Sequence, residues 1–526
     1  MPHRLSLASL VRIALATSLS LCAALYFLWS WHWPLVGDAS LIHYIALLIE
    51  RGWSPYRDLG DMNMPGSYLV EMAAMRVIGM GDLAWRLFDF SLMVAAAAAF
   101  VVIARRKSVA ASWLAALFSA SLFTLVHGRD GLAEGGQRDL TMAVCLLVAT
   151  AFLFVAVRRD SLWGAFVFGL FSGVALTIKP TALLLTVAQI SLAAIALRHR
   201  DRGQSSRRYI AAAFAGYLVL PAIALVFLLR EHAFAAFLAG FHGIVPYYAS
   251  LGHRPLGFIL LHSLSPLLPL VLIWIAMLVL TGFDWDWKND WERTALLVGV
   301  LFGLINCIAQ ARALPYYRYP LLAFLLPVMA LDFTRAAHPL QSFATLRSRS
   351  VRALAISALC FGGFFLAPQS ALLVHRYRWW QTDFISSLQE NLDSLGGQRL
   401  SGHIQCIDSI SGCGNVLYRM RLEPATGVLS DFLLFGPDSV AIVRQTRANF
   451  LTAVEARPPQ VIVVTSHLHM DGPDDFLKLD RWPAFQSFLA ANYSLHTEWA
   501  PTRTARWWSR EETPASYRIY LLRSHP

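Results

Sequence analysis

Residues 87–104 read LFDFSLMVAAAAAFVVIA, and residues 211–229 read AAAFAGYLVLPAIALVFLL. Runs of about 18 or more mostly apolar residues are long enough to cross a bilayer as helices. Similar blocks recur from the N-terminus to about residue 370. The expected spans are roughly 8–31, 84–104, 109–126, 140–157, 161–178, 180–197, 209–229, 256–281, 294–311, 316–333 and 351–368. Composition agrees: of 526 residues, 56% are hydrophobic and 15% charged, with mean hydropathy +0.51. A soluble domain carries about 25% charge. The run from Ser6 to Trp31 follows His3 and Arg4 as a signal peptide would, but it is too long for one. It also lacks a small-residue exit before Trp29, Trp31 and Trp33, so it reads as an uncleaved first span.

The formal charge is +11. From Leu373 onward, 15 Lys/Arg balance 15 Asp/Glu, so the excess lies in the membrane part. That assigns it to topology and to anionic membrane lipids, and no aromatic-rich basic face suggests nucleic acid. With the N-terminus inside, the inner segments carry 18 Lys/Arg, including Arg105-Arg106-Lys107 and the 198–208 cluster. Cytoplasmic loops are the Lys/Arg-rich ones, and eleven spans then place the C-terminal region outside. Gly66 to Met80 is apolar but carries Glu71 and Arg76 and is short for a span. It is expected to lie against the membrane within a first outer loop running from His32 to about Asp82.

Cys22, Cys145, Cys307 and Cys360 fall in spans, where cysteine acts as a small hydrophobe. Cys406 and Cys413, with six residues between them, suit a disulfide in an oxidising compartment and do not match a zinc pattern.

The first outer loop is polar and specific: Gly37-Asp38, then Ser54-Pro55-Tyr56-Arg57-Asp58, then Asp61-Met62-Asn63-Met64-Pro65-Gly66. Asp38 is either the cap of a helix starting at Ala39 or a carboxylate placed for chemistry at the interface. Arg57 either pairs with Asp58 or Asp61 or meets a ligand. Arg138-Asp139 reads as a cap with a solvated ion pair, or as part of a site. Lys179 stands between two spans with no acid beside it, where a charge is functional or snorkels to the interface. His242-Gly-Ile-Val-Pro-Tyr-Tyr and Tyr316-Tyr317-Arg318-Tyr319-Pro320 read as interfacial aromatics or as substrate contacts.

Taken in order, these motifs resemble the GT-C glycosyltransferases. The closest resemblance is to bacterial family 39-like enzymes, the group of protein O-mannosyltransferases and the aminoarabinose transferase of lipid A. The resemblance runs over about residues 8–335. It rests on Gly-Asp, an amphipathic helix ending in Arg51-Gly52, Pro-Tyr-Arg-Asp and Asn-x-Pro-Gly-x-Tyr-Leu. Gly79 to Leu87, Gln137-Arg138-Asp139, Thr177-Ile178-Lys179-Pro180-Thr181 and the motif at 316–320 follow in sequence.

The resemblance implies a GT-C-like polytopic α-helical membrane protein of about 11 transmembrane helices in the bacterial cytoplasmic (inner) membrane. Its donor would be a polyprenyl-phosphate sugar and its acceptor a lipid, glycan or protein. Asp38 would be the catalytic base, taking the acceptor hydroxyl proton. Arg57, Arg138 and Lys179 would hold the donor phosphate. Tyr56, Asp58, Asp61, Asp139, His242, Tyr316, Tyr317 and Arg318 would line the substrate site. Many relatives carry two adjacent acids where this chain has Gly37-Asp38-Ala39, which leaves a divalent metal ion an open cofactor. No nucleotide-binding Gly-rich loop is present or needed.

Residues 1–370 are thus read as the transmembrane domain and residues 371–526 as an extracytoplasmic α/β domain. Asp383 to Leu395 and Trp482 to Tyr493 read as helices. His403 to Asp408, Gln460 to Ser466 and Tyr517 to Arg523 read as strands. His467, His469 and Asp471 offer metal-ligand chemistry but read first as a polar loop. Two other classes remain: a transporter or flippase of a lipid-linked saccharide, and a non-catalytic scaffold carrying the C-terminal domain.

Overall fold

The computed structural model describes residues 33–105, 109–130, 135–198, 203–281, 290–336, 383–409, 411–468, 472–473, 475–501 and 515–523, with scattered positions between 13 and 31. The contacts divide the chain into two units. One comprises Met1–Trp33, Arg86–Ala224 and Arg254–His375; the other comprises Pro34–Trp85, Leu225–His253 and Arg376–Pro526.

The first unit is helical. Among the described residues, five helices are long and apolar enough to cross a membrane, and three shorter apolar ones accompany them. The expected span at 351–368 lies outside the described residues, as does most of 8–31. The helix Arg138–Arg159 is the most enclosed, with 83% of its apolar window buried. Asp139 in its first turn and Arg158 and Arg159 in its last complement the helix dipole. Arg158 grips Glu292 with two bonds of 2.8 Å and donates to the carbonyl of Val102 at 2.7 Å. The helix Gly203–Arg230 is the opposite case, its apolar window only 22% buried. It leaves Phe214 60% exposed, as a lipid-facing helix does and a water-facing one does not.

Small residues let these helices approach closely, as in other membrane bundles. A Cβ added at Gly169 would collide with the carbonyl of Ala213, and one at Gly216 with the carbonyl of Phe166. The helices Leu162–Ile178 and Gly203–Arg230 therefore touch backbone to backbone.

In the second unit the helices Gly37–Glu50 and Pro65–Ile78 pack on each other. The latter has 14 residues, about 21 Å at 1.5 Å each, and buries Tyr68, Glu71, Met72 and Met75 along one face. The C-terminal part has strands β1 (Ile404–Ile407), β2 (Val461–Thr465), β3 (His467–Leu468), β4 (Gly472–Pro473), β5 (Tyr493–Trp499) and β6 (Tyr517–Leu522). The main sheet is ordered β1-β2-β6-β5, with β1 and β2 parallel and the other pairs antiparallel. Every residue of β2 is buried, as befits a central strand covered on both faces. Phe435, Phe450, Trp482, Phe485 and Tyr493 fill the core beside it. The helix Pro483–Asn492 and strands β1, β2 and β6 lie where the sequence pattern puts them. His467 is buried in the small β3–β4 ribbon, and His469 and Asp471 lie outside the described residues.

The close helix contact gives a test. Gly216→Ala should cost about 1–3 kcal/mol through overpacking, read as a lowered thermal midpoint in detergent. Gly257→Ala, which meets nothing within 4 Å, should leave the midpoint unchanged.

Candidate functional site

Asp38 sits in the first turn of the helix Gly37–Glu50, whose cap position is Val36 and carries no side-chain cap bond. The acid is thus inside the helix, near its positive end, and is not its cap. It remains partly exposed, while the residues before it are sealed: Leu35 is 0% and Val36 1% exposed. The Leu35 amide donates to Asp82 Oδ1 at 2.9 Å, and its carbonyl accepts from Asn415 Nδ2. Arg419 binds the other oxygen of Asp82 at 2.7 Å. Further along, the Tyr44 hydroxyl donates to the carbonyl of Leu422 at 2.9 Å and Arg51 to that of Arg421 at 2.8 Å. The segment 415–422 therefore holds the Asp38 helix at both ends.

Most of that segment belongs to the short helix Cys413–Met420. Asp408, just past the end of β1, accepts the amides of Ser411, Gly412 and Cys413 at 2.9–3.0 Å. Cys406 and Cys413 are joined by a disulfide, with Cα atoms 6.1 Å apart. The sheet, the disulfide and the Asp38 helix form one connected framework.

The other first-loop residues mostly bind one another. Arg57 forks onto its neighbour Asp58 with two bonds of 2.9 Å, and Asp58 also accepts the amide of Ser54 at 2.8 Å. Asp61 accepts from the Asn63 side chain at 2.6 Å and from the Tyr68 hydroxyl. Tyr56, in the left-handed region, donates to the carbonyl of Asn63 at 2.6 Å. His242 is exposed and bonds within its own helix, to Leu238.

The remaining expected residues lie in the first unit. Lys179, at the end of the helix Leu162–Ile178, contacts Asp139 at 2.7 Å and Gln310 at 3.2 Å, and stands 5.0 Å from the centre of the Tyr317 ring. Arg138 and Arg312 also act electrostatically on Lys179. Arg138, Lys179 and Arg312 thus share a neighbourhood with the carboxylate of Asp139, which is 1% exposed. Tyr316 and Tyr317 pack edge to face at 4.6 Å, and Arg318 reaches the carbonyl of His262 at 3.5 Å. A buried network supports the cluster. Asp89 accepts from the amide of Gly136, just ahead of Arg138, and His127 joins Asp89 at 3.1 Å. Arg312 and Gln310 are absent from the sequence reading, although a lone Arg between two apolar blocks carries the same signal as Lys179.

Sequence reasoning also misses a buried polar pair. His43 and Glu71 meet at 3.1 Å, with side chains 3% and 5% exposed. His43 Nδ1 lies 2.8 Å from the carbonyl of Ala39, so it carries the ring proton and leaves Nε2 as an acceptor. Burial raises the Glu71 carboxyl to about 8 and lowers the His43 imidazole to about 4. Both shifts favour a neutral pair, with Glu71 Oε2 and His43 Nε2 3.1 Å apart. No group of three His, Cys, Asp or Glu side chains suited to a metal ion occurs among the described residues.

The pair has a pH signature. The raised Glu71 contributes stability that is complete below its ordinary value of 4.5 and is lost as pH rises through about 8. The depressed His43 contributes above its ordinary value of 6.5, and that part is lost as pH falls through about 4. Between pH 6.5 and 8, above the range in which the His43 contribution changes with the opposite sign, the folding equilibrium should therefore weaken by up to about tenfold per unit on account of Glu71. Glu71→Gln keeps a donor for His43 and should flatten the thermal midpoint over this window. Parallel curves for wild type and variant would refute the neutral pair.

No protein-family model matches the chain, and no curated protein matches it. Solved structures do. ArnT from Cupriavidus metallidurans in the apo state aligns with TM-score 0.57 at 14% identity, covering 96% of this chain and 97% of that one. ArnT from the same organism bound to undecaprenyl phosphate aligns with TM-score 0.55 at 15% identity, with the same coverage. The fold of this chain is the ArnT fold, a helical membrane architecture with a C-terminal sheet region, along nearly its whole length.

Proposed function

We propose that the protein is a membrane glycosyltransferase. It moves a sugar from a polyprenyl-phosphate donor to a lipid, glycan or protein acceptor on the outer face of the bacterial inner membrane, with its C-terminal domain on that outer side. The observation that carries the reading is the gathering of Arg138, Lys179 and Arg312 about Asp139. Guanidinium and ammonium groups gathered at helix ends suit an anion, and a departing lipid monophosphate is one. The structural neighbour that binds undecaprenyl phosphate supports the same donor class.

In this reaction the acceptor hydroxyl attacks the anomeric carbon while Asp38 takes its proton. The bond from that carbon to the phosphate oxygen breaks, and the polyprenyl phosphate leaves with the bonding electron pair. Configuration at the sugar carbon inverts. The cations stabilise the charge that develops on the leaving group, where preorganised donors act most strongly. Asp38 suits the base role because it is partly exposed on a helix whose start is fixed through Leu35. Arg57, forked onto Asp58, is assigned to shaping the loop rather than to the phosphate.

A transporter would place its working charges deep within spans. Here the cluster residues stand at helix ends: Arg138 and Asp139 open one helix, and Lys179 closes another. Asp38→Asn should reduce transfer by about 10²–10⁴-fold, the usual worth of a general base, with protein level and thermal midpoint unchanged. Retained activity in that variant, measured with labelled polyprenyl-phosphate sugar and purified protein, would overturn the assignment.

A further inference from the structure

We infer that the second unit carries a saccharide-binding site, separate from Asp38, that holds a sugar of the acceptor. The inference rests on the glycosyltransferase reading for its biological role, but the site itself is argued from geometry.

A cavity of about 480 Å³ opens between the end of the helix Phe234–Ser250 and the loops of the C-terminal sheet. Its volume lies within the ~300–1,000 Å³ of ligand sites. Tyr247, Phe432, Phe435 and Leu468 give it an aromatic and apolar floor, and Asp438 and Arg481 stand among its lining residues. The Asp438 side chain is 79% exposed.

The walls are held in place before any ligand arrives. Arg447 is 7% exposed and binds three of the lining residues, Gly436, Asp438 and Arg481. Its Nε donates to the carbonyl of Leu434 at 2.6 Å, and its terminal nitrogens reach the carbonyls of Gly436 and Arg481 at 3.1 Å and the carboxylate of Asp438. It also lies 5.3 Å from the centre of the Trp482 ring. One side chain thereby fixes both lips, 434–438 and 481. The Tyr247 hydroxyl donates to the carbonyl of Phe432 at 3.3 Å. A Cβ at position 436 would collide with that hydroxyl, so Gly436 makes the approach possible.

A lipid tail would use the floor and gain nothing from Asp438 and Arg481. A free anion would use Arg481 but meet the carboxylate of Asp438. A sugar ring uses both: its C–H face lies on aromatic side chains, and its hydroxyls donate to a carboxylate and accept from a guanidinium. Preorganisation by Arg447 lowers the entropy lost on binding.

The test uses full-length protein in phospholipid nanodiscs free of sugar detergents. Saturation-transfer NMR with maltose, chitobiose and glucosamine measures binding for wild type, Leu468→Trp, which fills the cavity, and Asp438→Asn, which removes the carboxylate charge. The site predicts saturable binding of at least one of these sugars, weakened fivefold or more in both variants. Absence of binding by all three sugars, binding unchanged in the variants, or phospholipid that displaces the sugar would overturn it. In the transfer assay the same variants should raise the acceptor KM while leaving the donor KM and kcat unchanged. If sugars bind as expected but no transfer is found, the site stands and the enzymatic reading fails. If transfer is found without sugar binding, the enzyme stands and this site fails.

Discussion

The backbone of Leu35 is the constraint on which the candidate catalytic helix depends. Leu35 is fully buried, and its amide and carbonyl are satisfied by two side chains distant in sequence, Asp82 and Asn415. Leaving either group unpaired would cost about 1–3 kcal/mol, so the helix begins where these partners allow it to begin. Asp38 follows three residues later, and its place in the first turn is inherited from that clamp. The clamp is anchored in turn: Arg419 holds Asp82, Asp408 caps the helix carrying Asn415 and Arg419, and the disulfide ties that helix to the sheet. The C-terminal sheet thus has a structural task at the first loop, whatever else it binds.

The first unit solves a different problem, that of keeping several charges away from water. Arg138, Lys179 and Arg312 gather about the carboxylate of Asp139, and Lys179 also meets Gln310 and the Tyr317 ring. The buried network of Asp89 and His127 fixes the turn that presents Arg138. Such a cluster offers preorganised donors to an anion, the provision that the proposed phosphate leaving group calls for.

The membrane helices and the strands of the C-terminal region were legible because their signal is local. Long apolar blocks make spans, and Val461–Thr465 is an unbroken β-branched run. The shortness and internal charges of 66–80 marked it as a surface element, and the structure gives it a packed face inside its own unit. What escaped was non-local. His43 and Glu71 become a pair only when two helices meet, and Asn415 reaches Leu35 across 380 positions. Asp38 seemed able to cap a helix because the sequence does not reveal that the helix starts two residues earlier. Arg57 illustrates the reverse: the bland reading, a pair with its neighbour Asp58, is the geometry found.

In the proposed function the chain transfers a sugar rather than moving or merely holding a lipid-linked one. Purified protein in vesicles, given polyprenyl-phosphate sugar labelled in both lipid and sugar together with an envelope lipid and glycan extract, tests this most directly. A transferase parts the two labels in equal amounts, the sugar label on a new acceptor and the lipid label in polyprenyl monophosphate. Recovery of the intact donor on the opposite leaflet, with both labels still joined, would contradict it.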